Sequence, residues 1–216
     1  MTEQRVEDDA EAVAGELRSW RPRVVHDARP VDLAAAEKAA TALLVALGQP
    51  VHGPDMAETP RRMAHAYAEM LAVGEFDFTT FPNTEGYDEL VLVQDIPVRS
   101  VCEHHMLPFV GVAHVGYLPA GRVLGLSKFA RVVDFYSHRT QTQERLTKQV
   151  ADHVQQFLEP RGVGVVIEAE HTCMSLRGVR AVGARTVTSA LLGTLRTHPS
   201  SRAEFLALTR ARRAGS

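Results

Sequence analysis

The chain has only two cysteines, and each follows a segment with the sequence character of a β-strand. Cys102 ends a stretch rich in valine, leucine and isoleucine (residues 90–101), and Cys173 lies near the end of an alternating stretch (residues 163–174). Histidines accompany both cysteines, in the segments Cys102-Glu103-His104-His105 and His171-Thr172-Cys173. We therefore expect two strands to end at one point and to bring these side chains together.

Thiolate sulfur and imidazole nitrogen are ligands that suit Zn²⁺. Cys102, His105 and Cys173 supply three such donors, and three protein ligands with an open fourth position are typical of a catalytic zinc site. His104 and His171 are additional imidazoles that can serve as acid and base. The pattern predicts zinc-dependent activation of water. A disulfide between the two cysteines is the alternative, and it predicts no bound metal.

Composition narrows the function classes further. With 216 residues and 45% hydrophobic content, the chain fits one medium-sized domain with an appendage. It has no apolar run long enough for a membrane span, and residues 1–9 lack the order of a signal peptide, so we expect a cytoplasmic protein with free thiols. A net charge of −2 disfavours a general nucleic-acid binder.

Residue patterns divide the chain into three parts. Residues 1–30 are predicted to be a mobile extension, with one short helix possible over 10–19. Residues 31–88 form a helical segment, with helices over 32–47 and 59–74. Residues 89–216 contain a hairpin (90–101 and 108–119), two helices starting near 127 and 140, strands over 163–174 and 178–189, and a closing helix from 200 with a basic tail. This order predicts an α+β fold, an antiparallel sheet covered on one face by helices.

Local signals suggest where the helices begin and where an anion binds. Asp32, Thr59 and Ser127 are predicted N-caps, and Thr140 with Gln143 fits a capping box. Four cations near these helix starts or near Cys173 form a set suited to a polyphosphate: Lys128, Arg131, Arg177 and Arg62. Ordinary solvation is the alternative for Lys128, Arg131 and Arg62. Glu144 suits the N–H groups of a guanine-like edge, although its position in a helix's first turn also explains it.

Several segments resemble the signature segments of GTP cyclohydrolase I in order and spacing. They are Cys102-Glu103-His104-His105, Gly125-Leu126-Ser127-Lys128 with Arg131, Gln141-Thr142-Gln143-Glu144-Arg145-Leu146, and His171-Thr172-Cys173 with Arg177-Gly178. The resemblance runs from residue 32 to the C-terminus. It implies a tunnelling fold and conversion of GTP and water to formate and 7,8-dihydroneopterin triphosphate, the first step of folate and pterin synthesis.

The resemblance also implies a role for each site residue. Cys102, His105 and Cys173 would bind zinc, and a zinc-activated water would attack C8 of guanine, with His104 and His171 moving protons. Glu144 with Gln143 would hold the guanine edge, and Ser127 would contact the ribose. The triphosphate would be held by Lys128, Arg131, Arg177 and, from a neighbouring subunit, Arg62. His65 departs from the second cation that some members carry one turn after this arginine.

The family assembles as two pentameric rings with sites between subunits, so the resemblance implies a homodecamer. The sequence alone supports only an oligomer, because a sheet has edges that need partners. A non-catalytic, zinc-stabilised protein that binds a purine or pterin is the alternative from another class. A tunnelling-fold relative acting on a deazapurine or a later pterin is the enzymatic alternative. Glu103 has no predicted role.

Overall fold

The computed structural model describes residues 30–210 and the backbone of Arg23–Val24. Most of the predicted extension over 1–30, its possible helix over 10–19 and the basic residues after Arg210 lie outside this part. The elements in chain order are β1 (Arg23–Val24), α1 (Leu33–Ala46), α2 (Thr59–Met70), β2 (Phe76–Asp77), β3 (Thr80–Pro82), β4 (Val91–Cys102), β5 (Pro108–Leu118), β6 (Arg122–Leu124), α3 (Leu126–Ser137), β7 (Thr140–Gln141), α4 (Gln143–Leu158), β8 (Gly162–His171), α5 (Thr172–Ser175), β9 (Thr186–Gly193), α6 (Thr194–Thr197) and α7 (Pro199–Arg210).

A five-stranded sheet with the order β7-β4-β5-β8-β9 organises the fold. All pairs are antiparallel except β7, which runs parallel to β4 over two residues. The amphipathic helices α3 and α4 bury their apolar sides against one face, together with Val163, Val165 and Ile167 of β8. This arrangement confirms the predicted α+β fold, an antiparallel sheet with helices α3 and α4 packed on one face.

The C-terminal helix α7 covers the opposite face at one end of the sheet. Phe205 is completely buried there and packs in a cluster with Leu118, Val166 and Leu195. Gly164 of β8 makes room for the ring, because a Cβ at this position would lie 2.7 Å from the Phe205 side chain. Strand β8 is consequently buried on both faces over most of its length.

The N-terminal helices form a hairpin that leaves much apolar surface exposed. Asp32 caps α1 as predicted, accepting a hydrogen bond of 2.9 Å from the backbone N–H of Ala35. Of the α1 stripe, Ala40 is buried, whereas Leu43 and Leu47 are 48% and 63% exposed. Within the described part of the chain, no helix has the length and apolar character needed to cross a membrane.

The predicted boundary between the helical segment and the rest remains a prediction. Residues 76–82 lie before that boundary, yet Phe76 and Phe78 are buried in the main core. Strand β3 also pairs with β6, which lies after the boundary.

Four local predictions were wrong. Thr140 does not begin a helix, because Thr140–Gln141 pairs with β4 and Thr142 caps α4 instead. Gly125 rather than Ser127 precedes the first turn of α3, and no side chain caps that helix. Thr59 is the first residue of α2, whose N-cap is Glu58. The last strand begins at residue 186 rather than 178.

His153 occupies an apolar environment that disfavours its charged form. Its ring lies among Phe78, Phe157 and Phe76, and Nδ1 is 3.0 Å from the Tyr136 hydroxyl. Burial lowers the pKa of His153 to about 4.

Because that pKa lies below the unfolded value near 6.5, only the unfolded chain gains this proton as the pH falls. The associated stability is complete above pH 6.5 and is lost between pH 6.5 and pH 4. We expect protonation of His153 in the unfolded chain to lower the free energy of unfolding by up to about 3 kcal/mol across this window. Thermal unfolding of His153→Phe should then depend less on pH over this window than wild type. Parallel curves for the two proteins would contradict this assignment.

Candidate metal centre and active site

The register of the sheet explains why the two cysteine segments meet. Strand β5 lies between β4 and β8, with Val101 paired to Pro108 and Phe109 paired to His171. The end of β4 and the end of β8 therefore flank the start of the same strand. The Thr172 hydroxyl fixes the chain after β8 there, donating to the carbonyl oxygen of Pro108 at 2.6 Å.

A tight turn joins β4 to β5 and carries His104 and His105. The backbone N–H of Cys102 donates to Leu107 (2.9 Å), and that of Met106 donates to the carbonyl oxygen of Cys102 (2.8 Å). Met106 adopts a left-handed conformation with φ 54° to complete the turn. The Tyr67 hydroxyl of α2 also donates to the carbonyl oxygen of Met106, at 2.9 Å. This hydrogen bond attaches helix α2 to the turn.

Cys102, His105 and Cys173 come together as predicted. One ligand atom from each lies within 4.8 Å of the others, and Cys102 Sγ is 4.0 Å from His105 Nδ1. Both thiols are free and buried, so the alternative disulfide is not formed. Burial, and then the neighbouring Cys102 thiol, raise the pKa of Cys173. One expectation was wrong: Cys173 does not lie on the alternating strand, which ends at His171, but in the short helix α5.

The two remaining imidazoles differ in their surroundings. His171 stacks on Phe109, with ring centroids 4.5 Å apart and planes inclined by 10°. Burial lowers the pKa of His171, and the charge of Glu144 opposes that shift. The side chain of His104 is 67% exposed, and its ring centroid lies 6.4 Å from that of His105. One imidazole is therefore fixed and partly desolvated, whereas the other faces solvent.

Glu103, which had no predicted role, connects the turn to helix α4. Its Oε2 pairs with the Arg145 guanidinium at 2.5 Å, and its Oε1 lies 4.0 Å from His104 Nε2. Arg145 also donates to the Gln141 side chain at 2.7 Å and to the carbonyl oxygen of Thr140 at 2.9 Å. These three contacts of the guanidinium tie the turn, β7 and α4 together.

Comparisons with known proteins agree with this geometry. The family profile of GTP cyclohydrolase I matches residues 36–210. The chain belongs to the GTP cyclohydrolase I family.

Relatives named GTP cyclohydrolase 1 support the membership. The protein from Mycolicibacterium paratuberculosis is 54% identical over 188 residues, which cover 85% of this chain and 92% of the relative. The Streptomyces avermitilis protein is 53% identical over 182 residues, covering 82% and 90%. Among solved structures, the archaeosine synthase QueF-Like in the apo form aligns with 48% of this chain and 93% of its own, at 24% identity and a TM-score of 0.41.

The first turn of α4 carries the two residues expected at the guanine edge. Glu144 is exposed and lines a cleft of about 510 Å³ beside β9, together with Thr188 and Arg196. Within the described residues its carboxylate makes no hydrogen bond, so its oxygens are available to a ligand. Gln143 is instead only 1% exposed, and its amide is hydrogen-bonded inside the protein.

The predicted cations fall into separate places. Arg177 lies beside the metal ligands, with Nη1 3.4 Å from His105 Nε2. Ser127 and Lys128 lie in the first turn of α3, and Arg131 lines a cavity of about 270 Å³ between this helix and β4. Arg62 lies in the first turn of α2, where its Nε donates to the carbonyl oxygen of Glu58 at 3.4 Å.

The first turn of helix α3, which carries Ser127 and Lys128, lies at the end of the helix remote from the candidate metal ligands of the same chain. The C-terminal end of the helix is tied to β4 near Cys102, since the Ser100 hydroxyl donates to the carbonyl oxygen of Ser137 at 2.7 Å. Its first turn lies at the other end of the 12-residue helix, which is about 18 Å long. One chain therefore does not bring Ser127 and Lys128 to its own cysteines.

Sequence reasoning missed three residues around the metal centre. Arg145 lies within a segment that carried the resemblance, so its proximity to the site could have been predicted. Its pairing with Glu103 could not. The Tyr67 hydroxyl donates a hydrogen bond to a backbone carbonyl group 39 residues away, and the pairing of β5 with β8 places Phe109 against His171. Neither relation leaves a local sequence pattern.

Proposed function

We propose that this protein hydrolyses GTP at C8 of the guanine and rearranges the product, giving formate and 7,8-dihydroneopterin triphosphate. The observation that carries the proposal is the convergence of Cys102, His105 and Cys173 within 4.8 Å, beside His171, in a chain of the GTP cyclohydrolase I family. This reaction is the first step of folate and pterin synthesis.

The metal would be zinc, held by Cys102, His105 and Cys173. Zn–S and Zn–N bonds of about 2.3 and 2.0 Å in a tetrahedron would separate the two ligand atoms by about 3.5 Å. The 4.0 Å between Cys102 Sγ and His105 Nδ1 is close to this separation. Three ligands leave one coordination position open. When bound there, zinc would supply a Lewis acid that lowers the pKa of a water molecule toward neutrality.

The protein's own groups would orient the substrate and move protons. Glu144 offers free carboxylate oxygens on the exposed side of the first turn of α4, and we propose that it accepts the N–H groups of the guanine edge. Burial lowers the pKa of His171, which favours the neutral imidazole that can accept a proton. We propose that His104 serves as the second proton-transfer group and that Ser127 contacts the ribose.

The triphosphate would be bound by Lys128, Arg131 and Arg177, with Arg62 as a further contact. Lys128 lies about a helix length from the metal ligands of its own chain, so we propose that a neighbouring subunit supplies it. Strand β9 supports such assembly, because it pairs on one side only among the described strands and exposes Val187. The expected assembly is a homodecamer of two pentameric rings, located in the cytoplasm, with neither nucleic acid nor a membrane as partner.

Product analysis tests the proposal. The purified protein is incubated with GTP or ATP, and pterin is detected by fluorescence after oxidation. We expect pterin from GTP alone, because the amino group of adenine cannot make the same bonds to a carboxylate. Unchanged GTP in a sample that contains stoichiometric metal would refute the enzyme assignment.

Glu144→Gln tests the guanine contact. An amide keeps the shape of the side chain but replaces one acceptor oxygen by a donor, so the KM for GTP should rise about 10- to 100-fold. Metal content should not change. Glu204→Gln, on an exposed position of α7, is the matched control. An unaltered KM in Glu144→Gln would remove this residue from the guanine site.

A further inference from the structure

The side chain of Gln143 is almost fully buried although it lies beside the candidate active site. Its Nε2 donates to the carbonyl oxygens of Ile167 (3.0 Å) and Thr186 (2.9 Å), and Thr188 Oγ1 lies 3.1 Å away. Carbonyl oxygens can only accept hydrogen bonds. This fixes the orientation of the amide, with its nitrogen toward β8 and β9 and its oxygen on the opposite side.

The amide oxygen faces His171. Gln143 Oε1 lies 2.8 Å from His171 Nε2, and an amide oxygen can only accept, so this ring nitrogen carries a proton. Neutral His171 is therefore the Nε2–H tautomer, with its lone pair on Nδ1. Nδ1 makes no hydrogen bond with any other residue in the described ranges. The stacked Phe109 ring, 4.5 Å away, restrains the plane of the imidazole.

We propose that Gln143 is a positioning residue that holds His171 in this tautomer and directs Nδ1 to the reacting atoms. The inference rests on the proposed function, which gives His171 a proton-transfer role. A proton taken up at Nδ1 forms an imidazolium whose Nε2–H still donates to Gln143, and its return restores the neutral tautomer. Gln143 would thus act on His171 rather than on guanine, in place of the role expected from the family resemblance.

A double-mutant cycle separates these two roles. Gln143→Met removes the amide while keeping a side chain of similar length. Acid–base catalysis by one residue contributes typically 10²- to 10⁴-fold, so we expect kcat to fall about 10- to 100-fold, with the KM for GTP changed less than about threefold. In a His171→Ala background, where kcat is already low, Gln143→Met should cause no further loss.

Two further variants guard against a purely structural explanation. Gln155→Met makes the same substitution on the same helix, twelve residues and about 18 Å away, and should keep wild-type kcat. Gln143→Glu, protonated in its buried site, would again offer an oxygen to His171 and should retain more activity than Gln143→Met. If Gln143→Met does not fold, the cycle is measured with Gln143→Asn, whose amide is one methylene shorter and no longer reaches His171. Metal content per chain is determined for every variant and should stay at the wild-type value.

An equal loss of kcat from the Gln143 substitution with and without His171 would overturn the inference. A rise in KM above tenfold at unchanged kcat would do so too, since it would indicate direct guanine binding. A fully active His171→Ala protein would overturn both this inference and the role of His171. Absence of GTP turnover in wild type would instead refute the proposed function itself, which keeps the two failures distinguishable.

Discussion

Replacing Cys173 with serine is expected to remove the metal and abolish GTP turnover. A serine hydroxyl stays protonated at neutral pH and binds zinc far more weakly than a thiolate, so two ligands remain of three. We expect metal to fall from about one ion per chain to below one tenth, and kcat to fall at least 10³-fold. Atomic emission and a GTP assay on the same sample measure both quantities.

Ser175→Ala is the matched control for this change. Ser175 lies in the same short helix, and its buried hydroxyl has no hydrogen-bond partner, so its loss should leave metal and turnover intact. If Cys173→Ser retained stoichiometric metal and full activity, the assignment of the metal site would be wrong. Loss of metal in both variants would point to damage of the helix rather than loss of a ligand.

Two defective variants are expected to restore activity to each other when they are co-assembled. His171→Ala damages the site near the metal, and Lys128→Ala with Arg131→Ala damages the cation set on α3. Because the first turn of α3 lies about a helix length from the candidate metal ligands within one chain, a site formed between subunits can combine an intact half from each variant. A site is intact only when the chain that supplies His171 and the neighbour that supplies Lys128 and Arg131 each carry the undamaged half. Each condition is met in half of the cases, so random assembly should restore about a quarter of wild-type activity.

The complementation experiment uses co-expression with two different affinity tags, so that only mixed oligomers are purified. Each variant expressed alone should show kcat/KM at least about 100-fold below wild type. Separately purified variants that are mixed without subunit exchange provide the control. Activity of the mixed oligomers no greater than the mean of the two variants would contradict a site shared between chains.

The convergence of Cys102, His105 and Cys173 could be predicted from sequence because few other residues could serve as ligands. A chain with two cysteines, each beside a histidine and each following a strand, leaves little choice of thiolate ligands. The prediction survived an error in the local structure: Cys173 lies on a helical turn rather than on the strand. The sequence pattern indicated which side chains meet. The backbone conformation that carries Cys173 depends on tertiary hydrogen bonds such as that from Thr172 to Pro108.

Errors arose where tertiary pairing outweighed a local signal. Thr140 and Gln143 fit a capping box, but the backbone at Thr140–Gln141 pairs with β4, and the helix begins after it. The burial of the polar side chain of Gln143 leaves no local sequence signal. Its burial depends on carbonyl oxygens of β8 and β9 that lie 24 and 43 residues away.

The assembly of subunits could not be predicted from local sequence patterns either, because it depends on tertiary packing. Lys128 and Arg131 were correctly placed near a helix start, but the direction of that helix along β4 decides whether they can reach the metal ligands. That direction follows from the packing of α3 on the sheet. The exposed leucines of α1 also have no explanation within one described chain.

The fate of guanine C8 tests the central claim most directly. The metal-loaded protein is supplied with GTP labelled with ¹³C at C8, and the label is followed by NMR. We predict that the label appears in formate, one molecule for each GTP consumed, and that a chelator stops its release. Release of phosphate with the label still in an intact guanine ring would contradict the assignment.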